Sequence, residues 1–272
     1  MPRQRSLHHH HEIPASRQRR ASILLAIAAL ALLLTACGPA HAPSPSSSSS
    51  GAIQSGQSNH RAFTYVAIGA SDAFGVGTYD PAHDNWPTVL AGLLGPDAHL
   101  VNLGIPGETV AEARQTELPI ALDAKPAIVT VWLGVNDIVQ SVPVVTYEQQ
   151  LQALLLSLHQ NTNALIYVAN IPDLSLLPSF AGENQAALHT TIVQWNAAIA
   201  QAVTTSGATL VDLYASWSEL ANHPEYIASD GFHPSTLGAR RLAEVFQKAI
   251  TPSLPAIRAA AIRAAANAAG AA

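Results

Sequence analysis

Four short stretches of the sequence hold, between them, the side chains needed to open an ester. "IGASDAFGVG" presents Ser71 on a glycine turn after an apolar run, "NLGIPGET" contains Gly104, "LGVNDI" contains Asn136, and "SDGFHPS" contains Asp230 and His233. A serine hydroxyl is a weak nucleophile at neutral pH and needs a base beside it. Imidazole titrates near pH 6.5 in water, so His233 is suited to take the Ser71 proton and return it. The ring in turn needs one nitrogen held as N–H, which Asp230 can supply if the intervening turn brings it alongside. Attack on a carbonyl leaves an oxyanion, and each pre-aimed donor to it is worth on the order of 3–4 kcal/mol. The N–H groups of Ser71 and Gly104 and the side-chain amide of Asn136 are the candidates for that oxyanion hole. Singly, each residue has a plainer reading as a turn residue, a glycine with positive φ or a helix cap. Together they spell out acyl transfer.

The elements that must position these residues are short apolar runs alternating with helical patterns. Candidate strands are "FTYVAIG" (63–69), "AHLVNLG" (98–104), "AIVTVWLG" (127–134), "ALIYVAN" (164–170) and "ATLVDL" (208–213). They are nearly continuous in Val, Ile, Leu and aromatic residues, as strands covered on both faces are. Between them, "NWPTVLAGLLG", "ETVAEARQTE", "TYEQQLQALLLSLHQN" and "NQAALHTTIVQWNAAIAQAVTTSG" carry apolar residues three and four apart, and a further helical segment follows Ser235, a fitting N-cap. This alternation predicts an α/β fold: a three-layer α/β/α sandwich on a five-stranded parallel sheet with right-handed crossovers. In such open sheets ligands bind beyond the carboxyl ends of the strands. Ser71, Gly104 and Asn136 follow the first three candidate strands, and Asp230 and His233 follow the last strand and a loop.

In order and spacing the four blocks resemble the SGNH/GDSL hydrolases, named for their Ser, Gly, Asn and His, with Asp230 and His233 forming the Asp-x-x-His pair. The resemblance extends from about residue 64 to 248. It implies a flavodoxin-like sheet and hydrolysis of esters, thioesters or acetylated sugars without a metal cofactor. One block departs from the pattern. The family writes Gly-Asp-Ser, and this chain has Gly69-Ala70-Ser71-Asp72, so the change touches the network around the serine and leaves its register intact. The implied activity is that of a serine esterase working through a Ser-His-Asp triad and an acyl-enzyme. The alternatives are a polysaccharide O-deacetylase of the same fold and a non-catalytic surface binding protein.

The flanks predict where such a domain works. Arg17, Arg19 and Arg20 precede "ASILLAIAALALLLTA", shorter than the roughly 20 predominantly apolar residues of a membrane span. "LTAC" then resembles a bacterial lipobox, with residues 1–36 as signal peptide and Cys37 as the lipidated first residue. Residues 37–61, rich in Ser, Pro and Gly, read as a flexible tether, residues 62–251 as the hydrolase domain, and the alanine-rich 252–272 as a tail forming a marginal surface helix or fraying. The expectation is an extracytoplasmic monomer held by its lipid to a bacterial membrane. Hydrophobic content of 49% against 11% charged residues argues for a packed core. Cys37 is the only cysteine, which excludes an intramolecular disulfide and a cysteine zinc site. Five of the 13 basic residues and one of the 18 acids precede Cys37, so the cleaved chain carries a net charge of about −9, the wrong sign for a nucleic-acid partner. His83, Asp84, His223 and Glu225 lack the helix-spaced pair of a metal site, and no metal or other cofactor is expected. Trp86, Trp132, Trp195 and Trp217 read as core rather than sugar platforms. The expected partner is a small-molecule, lipid or carbohydrate ester.

Overall fold

In the computed structural model, which describes residues 63–270, the five candidate strands pair into one parallel sheet. They are β1 (Phe63–Gly69), β2 (Ala98–Asn102), β3 (Ile128–Trp132), β4 (Leu165–Ala169) and β5 (Thr209–Val211), in the spatial order β2-β1-β3-β4-β5. The continuous apolar runs belong to the strands that helices cover on both sides. Tyr65 to Ile68 of β1 and Ile128, Val129 and Val131 of β3 are fully buried. The edge strands tolerate polar exposure, and His99 of β2 and Thr209 of β5 face solvent.

The helices are α1 (Ser71–Phe74), α2 (Trp86–Leu94), α3 (Val110–Asp123), α4 (Val135–Val139), α5 (Val144–Asn161), α6 (Gln185–Ser206), α7 (Leu213–Ser216), α8 (Thr236–Ile250) and α9 (Leu254–Gly270). On one side of the sheet α5 packs against both α3 and α6, and on the other α2 packs against α8. Aromatic pairs fill both layers: Tyr147 meets Trp195 with ring centres 4.4 Å apart, and Trp86 stacks on Phe246 at 4.5 Å. Trp86, Trp132 and Trp195 are all buried. Helix α8 shows how spacing selects its inner face, since Ala239, Leu242, Ala243, Phe246 and Ile250 are buried three or four residues apart.

The strand order has a direct consequence for the site. The chain leaves β1 for β2 on one side and returns to β3 on the other, so β1 and β3 flank the point where the winding reverses and a crevice opens at their carboxyl ends. The register pairs Gly69 with Trp132, which sets the turn bearing Ser71 beside the exit of β3 that leads to Asn136.

The alanine-rich segment differs from the expected surface tail. Its Leu254, Ile257 and Ala261 lie on one helical face and pack against the core, and Ile257 is 6% exposed. Arg258 adds a hydrogen bond to the carbonyl of Leu94 at 2.8 Å. Low composition complexity hid a regular apolar stripe. The expected signal peptide, lipidation at Cys37 and tether fall on residues outside those described. Among the described residues, no helix is long and apolar enough to cross a membrane.

Candidate active site

Strand β1 stops at Gly69 and the chain turns at Ala70 directly into the short helix α1, whose first residue is Ser71. That position leaves the Ser71 N–H without an intrahelical acceptor, because the first turn of any helix has orphan donors. The serine is buried, and its hydroxyl lies 2.9 Å from Nε2 of His233, 162 residues away.

The histidine arrives on a turn built largely from its own hydrogen bonds. The Ala228 N–H donates to the His233 carbonyl at 2.8 Å, and the Ser235 N–H donates to the Tyr226 carbonyl at 2.8 Å. Within that turn the Asp230 carboxylate accepts the N–H groups of Phe232 and His233 through Oδ1, at 2.9 and 3.0 Å. Its Oδ2 lies 2.6 Å from Nδ1 of the His233 ring. A carboxylate only accepts, so Nδ1 carries the proton and Nε2 offers its lone pair to the Ser71 hydroxyl. Burial pushes the Asp230 carboxyl upward, but the His233 ring and the two backbone donors outweigh it and hold it below the ordinary aspartate value. Loop 172–183 buttresses the turn: the Ser179 N–H donates to the Gly231 carbonyl at 3.1 Å, and Phe180 lies against Phe232, whose ring edge touches His233.

Asn136 is buried at the start of α4, with its amide nitrogen donating to the Glu108 carbonyl at 2.9 Å. An amide nitrogen carries two hydrogens, so one is left for another acceptor. Gly104 is corrected. Its N–H already donates to Oδ1 of Asn102 at 3.1 Å, and a Cβ there would come within 2.7 Å of Ala73 Cβ and 2.8 Å of the Phe74 nitrogen. The glycine therefore lets the β2 exit pack against α1, and its N–H is not free for an oxyanion. A free N–H that the sequence reading passed over is in the same block. Gly107, at φ +88, has an N–H with no acceptor among the described residues and open space where a Cβ would stand. Gln140 and Asn136 hold its loop by donating to the carbonyls of Gly107 and Glu108. The signal was the second glycine of "NLGIPGET".

The residues around the serine also answer the altered first block. Asp72 lines the cleft with Ser71, Trp132, Asn136 and Phe232. Burial raises its pKa, with His233 opposing and Asp230 adding to the rise. Support from beneath comes from α3, where Glu117 Oε2 accepts the Gly69 N–H at 3.0 Å. Asp137 is structural, accepting the N–H of Val110 at the start of α3, and burial pushes its carboxyl up to about 7. His83 pairs with Asp80 and His223 with Glu225 in separate surface contacts. Among the described residues no group of three metal-ligating side chains converges.

The sequence model of the GDSL-like lipase/acylhydrolase family matches residues 67–241, a span that includes every residue of this site. The chain belongs to that family. It is an esterase or acylhydrolase. Among solved structures it is similar to the acetylxylan esterase Axe2 of Geobacillus stearothermophilus, with a TM-score of 0.58 and 22% identity over 69% of this chain and 94% of that one. It is also similar to LAE5, an alpha/beta hydrolase from the Lake Arreo metagenome, with a TM-score of 0.58 and 21% identity over 70% and 96% of the two chains. TesA gives a TM-score of 0.57 and 23% identity over 70% and 98%. No curated protein sequence matches the chain.

Proposed function

We propose that the chain is an extracytoplasmic serine hydrolase that cleaves carboxylic esters by acylating Ser71. The observation that carries this reading is the unbroken line from Asp230 Oδ2 through the His233 ring to the Ser71 hydroxyl, at 2.6 and 2.9 Å. His233 Nε2 takes the hydroxyl proton as Ser71 Oγ bonds to the carbonyl carbon. Collapse of the tetrahedral intermediate breaks the bond to the alcohol, which leaves with the proton from His233. Water then attacks the acyl-serine, gives a proton to His233, and the acid departs as that proton returns to Ser71. The oxyanion is met by the N–H groups of Ser71 and Gly107 and by the free amide hydrogen of Asn136.

A short acyl group fits best. The space beside Ser71 is small and is walled by Trp132, Leu133 and Val135 at the end of β3. The similarity to an acetylxylan esterase supports the same reading and favours acetylated carbohydrate as a substrate class. The N-terminal pattern ending in "LTAC" supports a lipid anchor on Cys37 and a position outside the cytoplasm.

The test is Ser71→Ala. Hydrolysis of p-nitrophenyl acetate is expected to fall by about 10⁴-fold or more with folding retained, and a fluorophosphonate probe is expected to label wild type alone. Undiminished turnover in the variant, or an unlabelled folded wild type, would sink the mechanism. A series of acyl chain lengths is expected to peak at acetyl.

A further inference from the structure

Two carboxyl groups are buried together beneath the serine turn. Glu117 on α3 is 1% exposed, and Glu108 in the loop between β2 and α3 is 7% exposed. Glu117 Oε2 accepts the Gly69 N–H at 3.0 Å, and Glu108 Oε1 accepts the Thr116 hydroxyl at 2.6 Å. The other two oxygens, Glu117 Oε1 and Glu108 Oε2, are enclosed and have no hydrogen-bond donor among the described residues. The Glu108 carboxyl is close enough to act on Glu117 and to raise its pKa. Ionised carboxylates only accept, so only a proton placed between them lets these two oxygens bond. One shared charge is also far less costly to bury than two. Burial, reinforced by Glu108 and opposed by the Gly69 N–H, pushes the Glu117 carboxyl up to about 10.

The surroundings leave this proton as the main means of neutralising the pair. Arg114 of α3 donates to Gln150 of α5, Glu112 of α3 is bonded to Thr109, and Asp137 of α4 to the Val110 N–H. Among the described residues, Glu108 is the charged group that acts on Glu117. The pair also touches both halves of the chemistry. Gly69 stands two residues before Ser71, while Glu108 follows Gly107 and accepts the Asn136 amide on its backbone carbonyl.

We propose that Glu117 and Glu108 form a positioning pair, a carboxylic acid clamped to a carboxylate by one shared proton, which holds the Ser71 turn in register with the Gly107 and Asn136 donors. Loss of the proton in alkaline solution sets two charges against each other and loosens both sides at once. The inference rests on Ser71 as nucleophile.

Glu117→Gln tests it without changing shape, since the amide carbonyl accepts from Gly69 and the amide NH₂ donates to Glu108 with no proton to lose. Glu117→Leu keeps bulk and removes both contacts. The readouts are kcat and KM for p-nitrophenyl acetate, and the thermal midpoint, from about pH 6 to about pH 10. Glu117→Gln is expected to match wild type within about threefold at neutral pH and to keep its kcat on the alkaline side, where wild type falls. Glu117→Leu is expected to lose about tenfold or more in kcat with little change in KM, as displaced reacting groups do. A Gln variant with the wild-type alkaline fall, or a folded Leu variant with wild-type kcat, overturns the proposal. If the Leu variant does not fold, the Gln comparison decides alone. Stability separates this idea from the hydrolase reading. Folded wild type retains a proton that the unfolded chain releases above about pH 4.5, so the Gln variant should gain in midpoint over wild type as pH rises toward about 10. That gain supports the shared proton even if no ester is cleaved, and a constant difference overturns it.

Discussion

His233 reaches Ser71 from a turn stabilised mostly within itself, whereas Ser71 and Asn136 are held by groups far away in the chain. Asp230 and His233 are three residues apart, and the turn that joins them closes over Tyr226 to Ser235. On the other side, the Ser71 turn is bonded to Glu117 48 residues on, and Asn136 to Glu108 28 residues back. The two sides also treat a carboxyl in opposite ways. Asp230 is surrounded by donors and sits below its ordinary pKa, so its contribution to stability is present near neutrality and lost as pH falls through the carboxylate range. Glu117 has one donor and an acid for a neighbour, so its contribution is full only in acid and declines as pH rises toward about 10. A charge meant to stay ionised is ringed with N–H groups, and one meant to stay protonated is given another carboxyl.

The sharpest way to break this contrast is on the histidine side. Asp230→Asn is expected to lower kcat for p-nitrophenyl acetate by about 10⁴-fold, because the ring loses the partner that fixes its tautomer. A loss below tenfold would show that His233 is oriented from elsewhere. On the serine side, Asn136→Ala is expected to cost about 10²–10³ in kcat with KM little changed, the effect of removing one oxyanion donor. A change confined to KM would move Asn136 from the chemistry to substrate binding. The smallest catalytic effect is expected at the opposite end of the sheet. Ile257→Ala is expected to lower unfolding free energy in urea by about 2–5 kcal/mol and leave kcat/KM as in wild type. The neighbouring Arg258–Asp97 contact at 4.0 Å is partly exposed and adds no more than about 1 kcal/mol, so the helix docks through its apolar face.

Where the sequence was legible, the physics was local. Strand β1 was expected over 63–69 and spans Phe63–Gly69, because both faces are buried and the apolar run has sharp ends. Helix α6 was bounded by Asn184 and Gly207, its N-cap and its left-handed C-cap. Asp230 and His233 were legible because three residues of turn suffice to bring them together. Gly104 reads as a donor in the sequence because the letters carry no record of which N–H another side chain has taken; Asn102, two residues away, has taken this one. The alanine-rich end was read by composition, and three apolar residues on one face decided its place.

The sequence by itself determined the order of the strands and helices, the blocks at the strand ends, and the set of side chains available for acyl transfer. Periodicity, caps and short turns act over a few residues and leave their mark in the letters. Only the tertiary structure decided which donors remain free, that Asp72 lines the cleft, and that Glu117 and Glu108 are buried close together. Those outcomes depend on which groups compete for each buried hydrogen bond, and that competition exists only once distant segments share one low-dielectric space.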